Sequence, residues 1–357
     1  MQPRTTFTRI LVYLLLLAGA GVFLFPLLWL LLTSLKPIEQ TMSMPPKWLP
    51  RAYFATIDGQ RLEVTLGPVE PDRPDHRRVT ERSATKIVQH PLASAVVPVA
   101  TIESKIAPRW ENYRIALETM GGRGVDEMEG TVTARQTGAG EDTAVSFGTF
   151  LCNTLLVCIL GVIGTVLSNA LVAYSFAKIR WRGRDTVFAL TLATMMIPFP
   201  VLMVPLYGVF KELGWIGTLK PLWVPSFFAN AFNIFLMRQF FRTIPDELSE
   251  AARIDGCSEW AIFWKIILPL SKPVLMVVAL FHFLHAWNDF MGPLLYLTRK
   301  HTFTLAIALQ NYSSQHGGVQ WHHLMAASAM VILPIIVLFF FTQKTFIKGI
   351  ATTGIKG

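Results

Sequence analysis

Six stretches of this chain are apolar for long enough to cross a bilayer, and nothing else restricts its fold as strongly. A helix needs about 20 mainly apolar residues to span the hydrocarbon. Such stretches lie near Ile10–Leu35, Phe150–Phe176, Val187–Phe210, Leu222–Phe241, Val274–Leu297 and Leu324–Phe341. Charged residues are only 15% of the chain, against roughly 25% in soluble domains. The first stretch follows Arg4 and Arg9 and contains Ala18-Gly19-Ala20, as a secretory leader would. Its apolar run of about 25 residues exceeds a leader core of about 7–15, so it reads as a retained anchor.

The net charge of +9 does not point to nucleic acid, because of where it sits. Residues 37–147 carry 13 Lys/Arg against 15 Asp/Glu, net −2, and the rest carries 19 against 8, net +11. The positive residues gather in short segments: Arg4 and Arg9; Lys178, Arg180, Arg182 and Arg184; Arg238, Arg242, Arg253, Lys265 and Lys272; Lys344, Lys348 and Lys356. With six spans these segments share one side, which the positive-inside rule makes the cytoplasm. The expected order is a cytoplasmic N-terminus and first span over 1–36, an extracytoplasmic part over 37–147, five spans over 148–343, and a cytoplasmic tail over 344–357. The loop around 298–323 is then also outside.

Cys152 and Cys158 lie in the second stretch and Cys257 in a charged insert. This set allows no disulfide framework and no zinc spacing. The three read as small apolar residues.

The outside segment reads as a small β-rich domain. "YFATIDGQRLEVTL" (53–66) alternates and places Asp58-Gly59 between two strand-like runs, a hairpin signal because both central residues of a type I′ turn need positive φ. "TKIVQH", "SAVVPVATIESKI" and "TVTARQ" also read as strands, and "GGRGVDEMEG" and "TGAGED" as turns or loop.

The later stretches are not plain anchors. The third holds Pro198, Pro200 and Pro205. Proline removes a backbone donor and kinks a helix, which a membrane tolerates where protein or a water-filled cavity takes up the freed groups. Asn153, Ser168, Asn169, Asn230, Asn233, Asn288 and Asp289 recur within the spans. Each needs a partner, either another helix or a polar pathway. His282, His285 and Asp289 have i, i+3, i+7 spacing, but membrane histidines usually bond within the bundle, so no metal site is assigned.

Between the fourth and fifth stretches the chain becomes charged and alanine-rich, "ELSEAARIDGCSEWAIFWKIILP" (247–269). Thr243 and Asp246 have capping-box spacing and Pro245 suits a first helical turn. That helix reads to Asp255, with Gly256 as its left-handed stop. Ser258 caps a second helix toward Leu268, which Pro269 ends. Leu248, Ala251, Ala252 and Asp255 share one face of the first helix, and Glu250 offers a charge. This physics alone is equally consistent with a knob that docks into a cleft and with a solvated interfacial helix.

The order Glu250-Ala251-Ala252, three residues, Gly256, nine residues, Ile266-x-Leu268-Pro269 resembles the cytoplasmic "EAA" loop of ABC-importer permeases. These are the inner-membrane components of binding-protein-dependent transport systems. The likeness extends to the carbohydrate branch, in particular the smaller maltose-type permease subunit, through "AYSFAKIRWRGRD" (173–185), "MVPLYGVFKELGWIGT" (203–218), "FLMRQFFRTIPDELSEAARIDG" (235–256), "IFWKIILPLSKP" (262–273), "WNDFMGPL" (287–294) and "TTGIKG" (352–357). "SLKP", "PPKWLP" and "WENY" fit as well. Residues 51–108 and 118–147 lengthen the usual pattern, Cys257 stands where alanine is usual, and His282 and His285 are not part of it.

The resemblance implies an all-α polytopic membrane protein with six transmembrane helices and an ABC-importer permease core, plus a small β-rich extracytoplasmic insert between helices 1 and 2. It implies half of a translocation pathway for a sugar or oligosaccharide in a prokaryotic plasma (inner) membrane. The partners would be a second permease (hetero- or homodimer), two cytoplasmic ABC ATPase subunits, an extracytoplasmic solute-binding protein and membrane lipid. No cofactor is implied. The chain has no G-x-x-x-x-G-K-[ST] phosphate loop, so ATP hydrolysis is expected on the ATPases. The coupling loop, 243–272, would act through Glu250, Ala251, Ala252, Asp255, Gly256, Ile266, Leu268 and Pro269. Asn230, Asn233, Trp287, Asn288 and Asp289 are candidates for the substrate pathway, with helix packing as their alternative. A permease for glycerol phosphate, polyamine or peptide is the nearest other reading. A polytopic enzyme lacks a convincing constellation, and a receptor lacks an output domain, with only about 14 residues after Gln343.

Overall fold

The computed structural model describes residues 6–57, 59–70, 73–81, 94–120, 124–125, 132–133, 145–315 and 320–353. The chain forms two compact units, Met1–Phe147 with Leu309–Leu333, and Gly148–Ala308 with Pro334–Gly357.

The first unit begins with helix α1, Thr6–Ser34. It is apolar from Thr8 to Ser34, and its most apolar 18 residues are not buried by the protein, although Thr33 and Ser34 at its end are. Beyond it stands a five-stranded antiparallel sheet of β1 (Arg51–Ile57), β2 (Gln60–Glu70), β3 (Arg73–Glu81), β4 (Ser94–Pro98) and β5 (Glu103–Ile106), in the order β4-β3-β2-β1-β5. The β1–β2 register pairs Ile57 with Gln60 across the expected hairpin. Gly59 turns it with φ +78°, a value cheap only without a Cβ, while Asp58 lies outside the described residues. Alternation puts Ala55, Ile57, Val64, Val79 and Val97 on one buried face, with Tyr53, Leu62, Leu66, Ala95 and Ile102 around them. Of the other expected strands, "TKIVQH" lies outside the described residues. So does "TVTARQ", apart from Val132–Thr133, which pairs with Gly124–Val125. The loop "TGAGED" lies outside them too, and of "GGRGVDEMEG" only Gly124–Val125 is described.

The sheet closes on its own stem. β1 pairs with β5, Arg51 opposite Ile106, so the chain enters and leaves side by side. The Ala107 N–H donates to the Pro50 carbonyl (3.0 Å) and the Arg109 N–H to the Leu35 carbonyl (2.9 Å). The Gln40 side chain brackets Arg51, accepting from its N–H (3.0 Å) and donating to its carbonyl. Asn112, on helix α2 (Glu111–Met120), donates to the Ser34 and Lys36 carbonyls at 2.7 and 3.0 Å.

The second unit opens with helix α3, Phe147–Lys178, which with α1 and the C-terminal helix Trp321–Gln343 makes, among the described residues, three uninterrupted helices long and apolar enough to cross a membrane. Two further stretches are bent helix pairs. α4 (Arg184–Ala193), extended by a 3₁₀ turn to Met196, meets α5 (Phe199–Glu212) at 98°. The break is set by Pro198, extended at ψ 140°, and by its neighbour Ile197, pushed out of the helical region. The stretch over 222–241 is not one helix. It breaks between a 3₁₀ turn at Val224–Phe227 and helix α6, Ala231–Phe241, because Asn230 is extended and caps α6. Its Oδ1 accepts from the Asn233 N–H (3.0 Å), while its own N–H donates to Asn169 Oδ1 (2.9 Å). The hydropathy of the window conceals that polar break.

Small residues bring these pieces together. A Cβ at Gly161 would collide with His282 Nε2, and one at Gly164 would lie 2.5 Å from the Phe227 ring. His282 Nδ1 is 3.0 Å from Thr165 Oγ1 and Nε2 is 3.4 Å from Ser226 Oγ. The histidine thus bonds within the bundle, as polar residues between membrane helices do.

Candidate functional site

The charged interruption folds into two helices, α7 (Asp246–Ile254) and α8 (Glu259–Leu270), the latter bent by 78° at Ser271 from α9 (Lys272–Asn288). The expected capping box at the start of α7 does not form. Thr243 Oγ1 donates backward to the Phe240 carbonyl (2.7 Å) and Pro245 occupies the cap position. Asp246 is drawn instead to Lys178, whose Nζ is 2.6 Å from its Oδ1.

The end of α7 follows the expectation. Gly256 has φ +81°. Its N–H reaches the Arg253 carbonyl (3.0 Å) and the Cys257 N–H reaches that of Ala252 (2.9 Å). This paired arrangement satisfies two carbonyls that a helix end leaves open. Ser258 then caps α8, its Oγ accepting from the Ala261 N–H (3.3 Å).

Pro269 does not end α8. Helical structure continues to Leu270 because residues Phe263–Ile267 form a π turn. Such a turn widens the helix where proline offers no N–H and crowds the preceding carbonyl. The break falls at Ser271, whose N–H is shared by the Ile267 and Leu268 carbonyls (3.0 and 3.1 Å). Ile266 and Leu268 pack partly buried on the core, and Pro269 is exposed.

The expected face of α7 is split. Ala252 turns inward with Ser249 and joins a core of Tyr174, Met237, Phe241, Ile262, Phe263 and Ile267. Leu248, Glu250, Ala251 and Asp255 stay at the surface, joined by Ile254, which is 86% exposed. Leu248, Ala251 and Ile254 recur at i, i+3, i+6, so α7 shows an apolar stripe to the outside. Ile254 was absent from the sequence-derived set, although that spacing was legible. Trp260 and Trp264 on α8 are also exposed.

Both ends of α7 are tied to the last turns of α3. The Lys178 side chain is only 2% exposed and its Nζ donates to the Ile244 carbonyl and to Asp246. At the other end Glu259 accepts from Arg253 Nε (2.6 Å) and from the Tyr174 hydroxyl (2.6 Å). The Tyr174 ring packs 5.2 Å from that of Phe263. Lys178, Asp246, Arg253 and Glu259 line a cleft of about 360 Å³ with Ser249 and Glu250 on its wall. Lys178 holds the Asp246 carboxyl below its ordinary range. Arg253 does the same to Glu259, with Tyr174 adding to it. Lys178, Tyr174 and Glu259 were not singled out from sequence, since 66 residues separate Lys178 from Ile244 and 85 separate Tyr174 from Glu259.

The five pathway candidates are mostly occupied with backbone. Asn230 caps α6, and Asn233 is buried in its first turn. Asn288 Nδ2 donates to the Leu284 carbonyl (2.8 Å) and is exposed. Asp289 Oδ1 accepts from the Gly292 N–H (3.1 Å). Trp287 is buried, stacks on Phe283 at 5.5 Å, and its indole N–H has no partner among the described residues.

Comparison with known proteins fits this arrangement. The model of the family described as "binding-protein-dependent transport system inner membrane component" matches residues 169–352. The arabinooligosaccharides transport system permease protein AraQ of Halalkalibacterium halodurans is 37% identical over 211 residues, 59% of this chain and 75% of that protein. AraQ of Bacillus subtilis is 36% identical over 202 residues, 56% and 71% of the two chains. The sn-glycerol-3-phosphate transport system permease protein UgpE of Pectobacterium atrosepticum is 33% identical over 214 residues, 60% and 75%. A chain from the crystal structure of a bacterial ABC transporter that imports the acidic polysaccharide alginate superposes with a TM-score of 0.64 at 20% identity. The match covers 96% of this chain and 99% of that one, and at that identity it speaks to the fold.

Proposed function

Because this chain belongs to the family of binding-protein-dependent transport system inner membrane components, we propose that it forms half of the translocation pathway of an ATP-driven sugar or oligosaccharide importer. The observation that carries the mechanism is the double tie of α7 to α3. A surface helix fixed at both ends to one membrane helix moves with it as a body. ATPase subunits that grip Leu248, Glu250, Ala251, Ile254 and Asp255 would therefore move α3. Ala252 and Gly256 shape that grip from within, and Ile266, Leu268 and Pro269 set the angle of α8 behind it. Coupling requires that the grip differ between nucleotide states, not merely that it exist.

If the three straight helices, the two bent pairs and the broken stretch over 222–241 each cross once, the chain has six spans. The positive-inside rule applied to the basic segments supports a cytoplasmic position for both termini and α7, with the sheet outside, available to a solute-binding protein and a second permease. ATP is hydrolysed on the ATPases. Trp287 is the pathway candidate whose fully buried donor has no partner among the described residues, and an aromatic face with a polar edge suits a sugar.

The AraQ relatives support an oligosaccharide cargo. The UgpE relatives keep a second reading, a small phosphorylated polyol, in view. The test is to purify the tagged chain with the subunits that accompany it, reconstitute the complex with its binding protein, and measure ATP hydrolysis against arabinooligosaccharides, maltodextrins and glycerol 3-phosphate. Stimulation by an oligosaccharide supports the proposal. Stimulation by glycerol 3-phosphate alone replaces it with the second reading, and absence of a co-purifying ATPase overturns it.

A further inference from the structure

The chain does not leave the membrane where α1 ends. After Ser34 it turns back, and Trp48 packs edge-on against both Phe25 and Trp29, with ring centroids 5.7 and 5.6 Å apart. Those two residues precede Ser34 by nine and five positions. At ~1.5 Å per residue they lie ~13 and ~8 Å back along the axis, and helical side chains lean further the same way. The Trp48 ring is therefore held beside the apolar flank of α1. Lys36 folds back too, its Nζ 4.0 Å above the Trp29 ring.

The segment around Trp48 is apolar and uncovered. Met42 is 72% exposed, Met44 90% and Trp48 53%, with Leu49 also open. It is also a closed loop. Gln40 at its start is bonded twice to the backbone of Arg51 at its end. Its one charge, Lys47, is turned to the sheet, where Nζ donates to the Tyr53 hydroxyl (2.9 Å). The loop therefore separates an apolar rim from a polar attachment.

We propose that residues 42–49 form an interfacial anchor, seated at the boundary of headgroups and acyl chains in the leaflet on the insert's side. Phe25, Trp29 and Trp48 form an aromatic girdle there, the placement these amphipathic rings favour. The occupant is lipid because the rim is continuous with the unburied apolar stretch of α1 and presents a half-exposed tryptophan at the end of a span. The anchor gives the sheet a second hold on the bilayer and fixes its height, through Gln40 and Arg51. This rests on α1 crossing the membrane.

The test uses spin labels in a variant with Cys152, Cys158 and Cys257 replaced by serine. Met44→Cys reports the rim, Leu15→Cys the span, and Lys105→Cys on exposed β5 the aqueous phase. Collision with oxygen and with a water-soluble nickel chelate is measured in lipid nanodiscs, for the chain alone and with its co-purifying subunits. The proposal expects the oxygen-to-nickel ratio at Met44 to exceed that at Lys105 several-fold in both preparations and to approach that at Leu15. A ratio at Met44 equal to that at Lys105 overturns it, as does shielding from both probes once the subunits are present, which would mean a protein occupant. An aqueous signal at Leu15 would instead sink the span reading and the anchor with it.

Discussion

Replacing Lys178 by methionine should loosen α7 without disturbing the core. Methionine keeps most of the aliphatic stem and its volume, so packing changes little. What disappears is the ammonium that donates to the Ile244 carbonyl and to Asp246. A hydrogen bond involving a charged group contributes ~1.5–3 kcal/mol. Asp246 is 67% exposed and resolvates readily, so its share is discounted for screening. Ile244 is buried, and its carbonyl loses that donor outright. About 1.5 kcal/mol remains, close to a tenfold shift in an equilibrium. Amides of Asp246–Ile254 should exchange with solvent ~10-fold faster in K178M than in the parent, by hydrogen-exchange mass spectrometry. In the reconstituted complex, substrate moved per ATP should fall while hydrolysis persists. Asp246→Asn keeps the Ile244 bond and should produce the smaller effect. Unchanged exchange and unchanged transport per ATP in K178M would refute the argument that this tie carries motion from α7 to α3.

Four further outcomes follow. The Asp246 and Glu259 carboxyls are held below their ordinary values, so their stabilisation is fully present above the unfolded values of ~3.9 and ~4.3 and is lost as pH falls through the depressed ones. Exchange protection of α7 should therefore be flat from neutral to mildly acidic pH and fall only below about pH 4. Gly256→Ala forces a Cβ into the left-handed region and should cost ~1–2 kcal/mol at the end of α7, read as weaker assembly with the ATPases at unchanged membrane insertion. Gly161→Ala meets the His282 ring and should lower the thermal stability of the purified chain, with a smaller loss when His282 is also made alanine. Removing residues 51–106 and joining Pro50 to Ala107 should leave a folded, membrane-inserted chain, because those two residues already share a hydrogen bond, while uptake in cells should fall. Full uptake would remove the sheet from transport.

What was legible in the sequence was local. The hairpin at Asp58-Gly59, the stop at Gly256 and the cap at Ser258 each depend on neighbours within a few residues, and the hairpin register, the stop and the serine cap are present. The capping box failed because Asp246 had a better partner 68 residues away, which no local spacing reveals. The inward turn of Ala252 has the same origin. Four residues at helical spacing define a face, but the surface it meets decides which of them is buried. The stretch over 222–241 looked continuous because average hydropathy weighs Asn230 against its apolar neighbours, whereas the backbone responds to the side-chain oxygen at one position. The tie of α3 to α7 lies at that tertiary level as well.

The position of the added sheet explains why the rest of the chain tolerates it. The frame of the first unit is closed by bonds that do not involve the sheet: the Arg109 N–H to Leu35, and Asn112 to Ser34 and Lys36. With Pro50 already joined to Ala107, lengthening the loop beyond them adds closure entropy that grows only with the logarithm of its length. The sheet offsets this through its own buried face around Val64 and Val79. A domain inserted at a closed stem can thus vary in size without moving the frame, and it can act on the frame through few points. Two of these are polar joints, Gln40 with Arg51 and the ion pair of Glu63 with Arg109. The second is the stiffer, because both partners are largely shielded from solvent and Arg109 also bonds the stem through its backbone. If a binding protein touching the sheet is to be felt by α1 and α2, it is through that arginine that the shortest route runs.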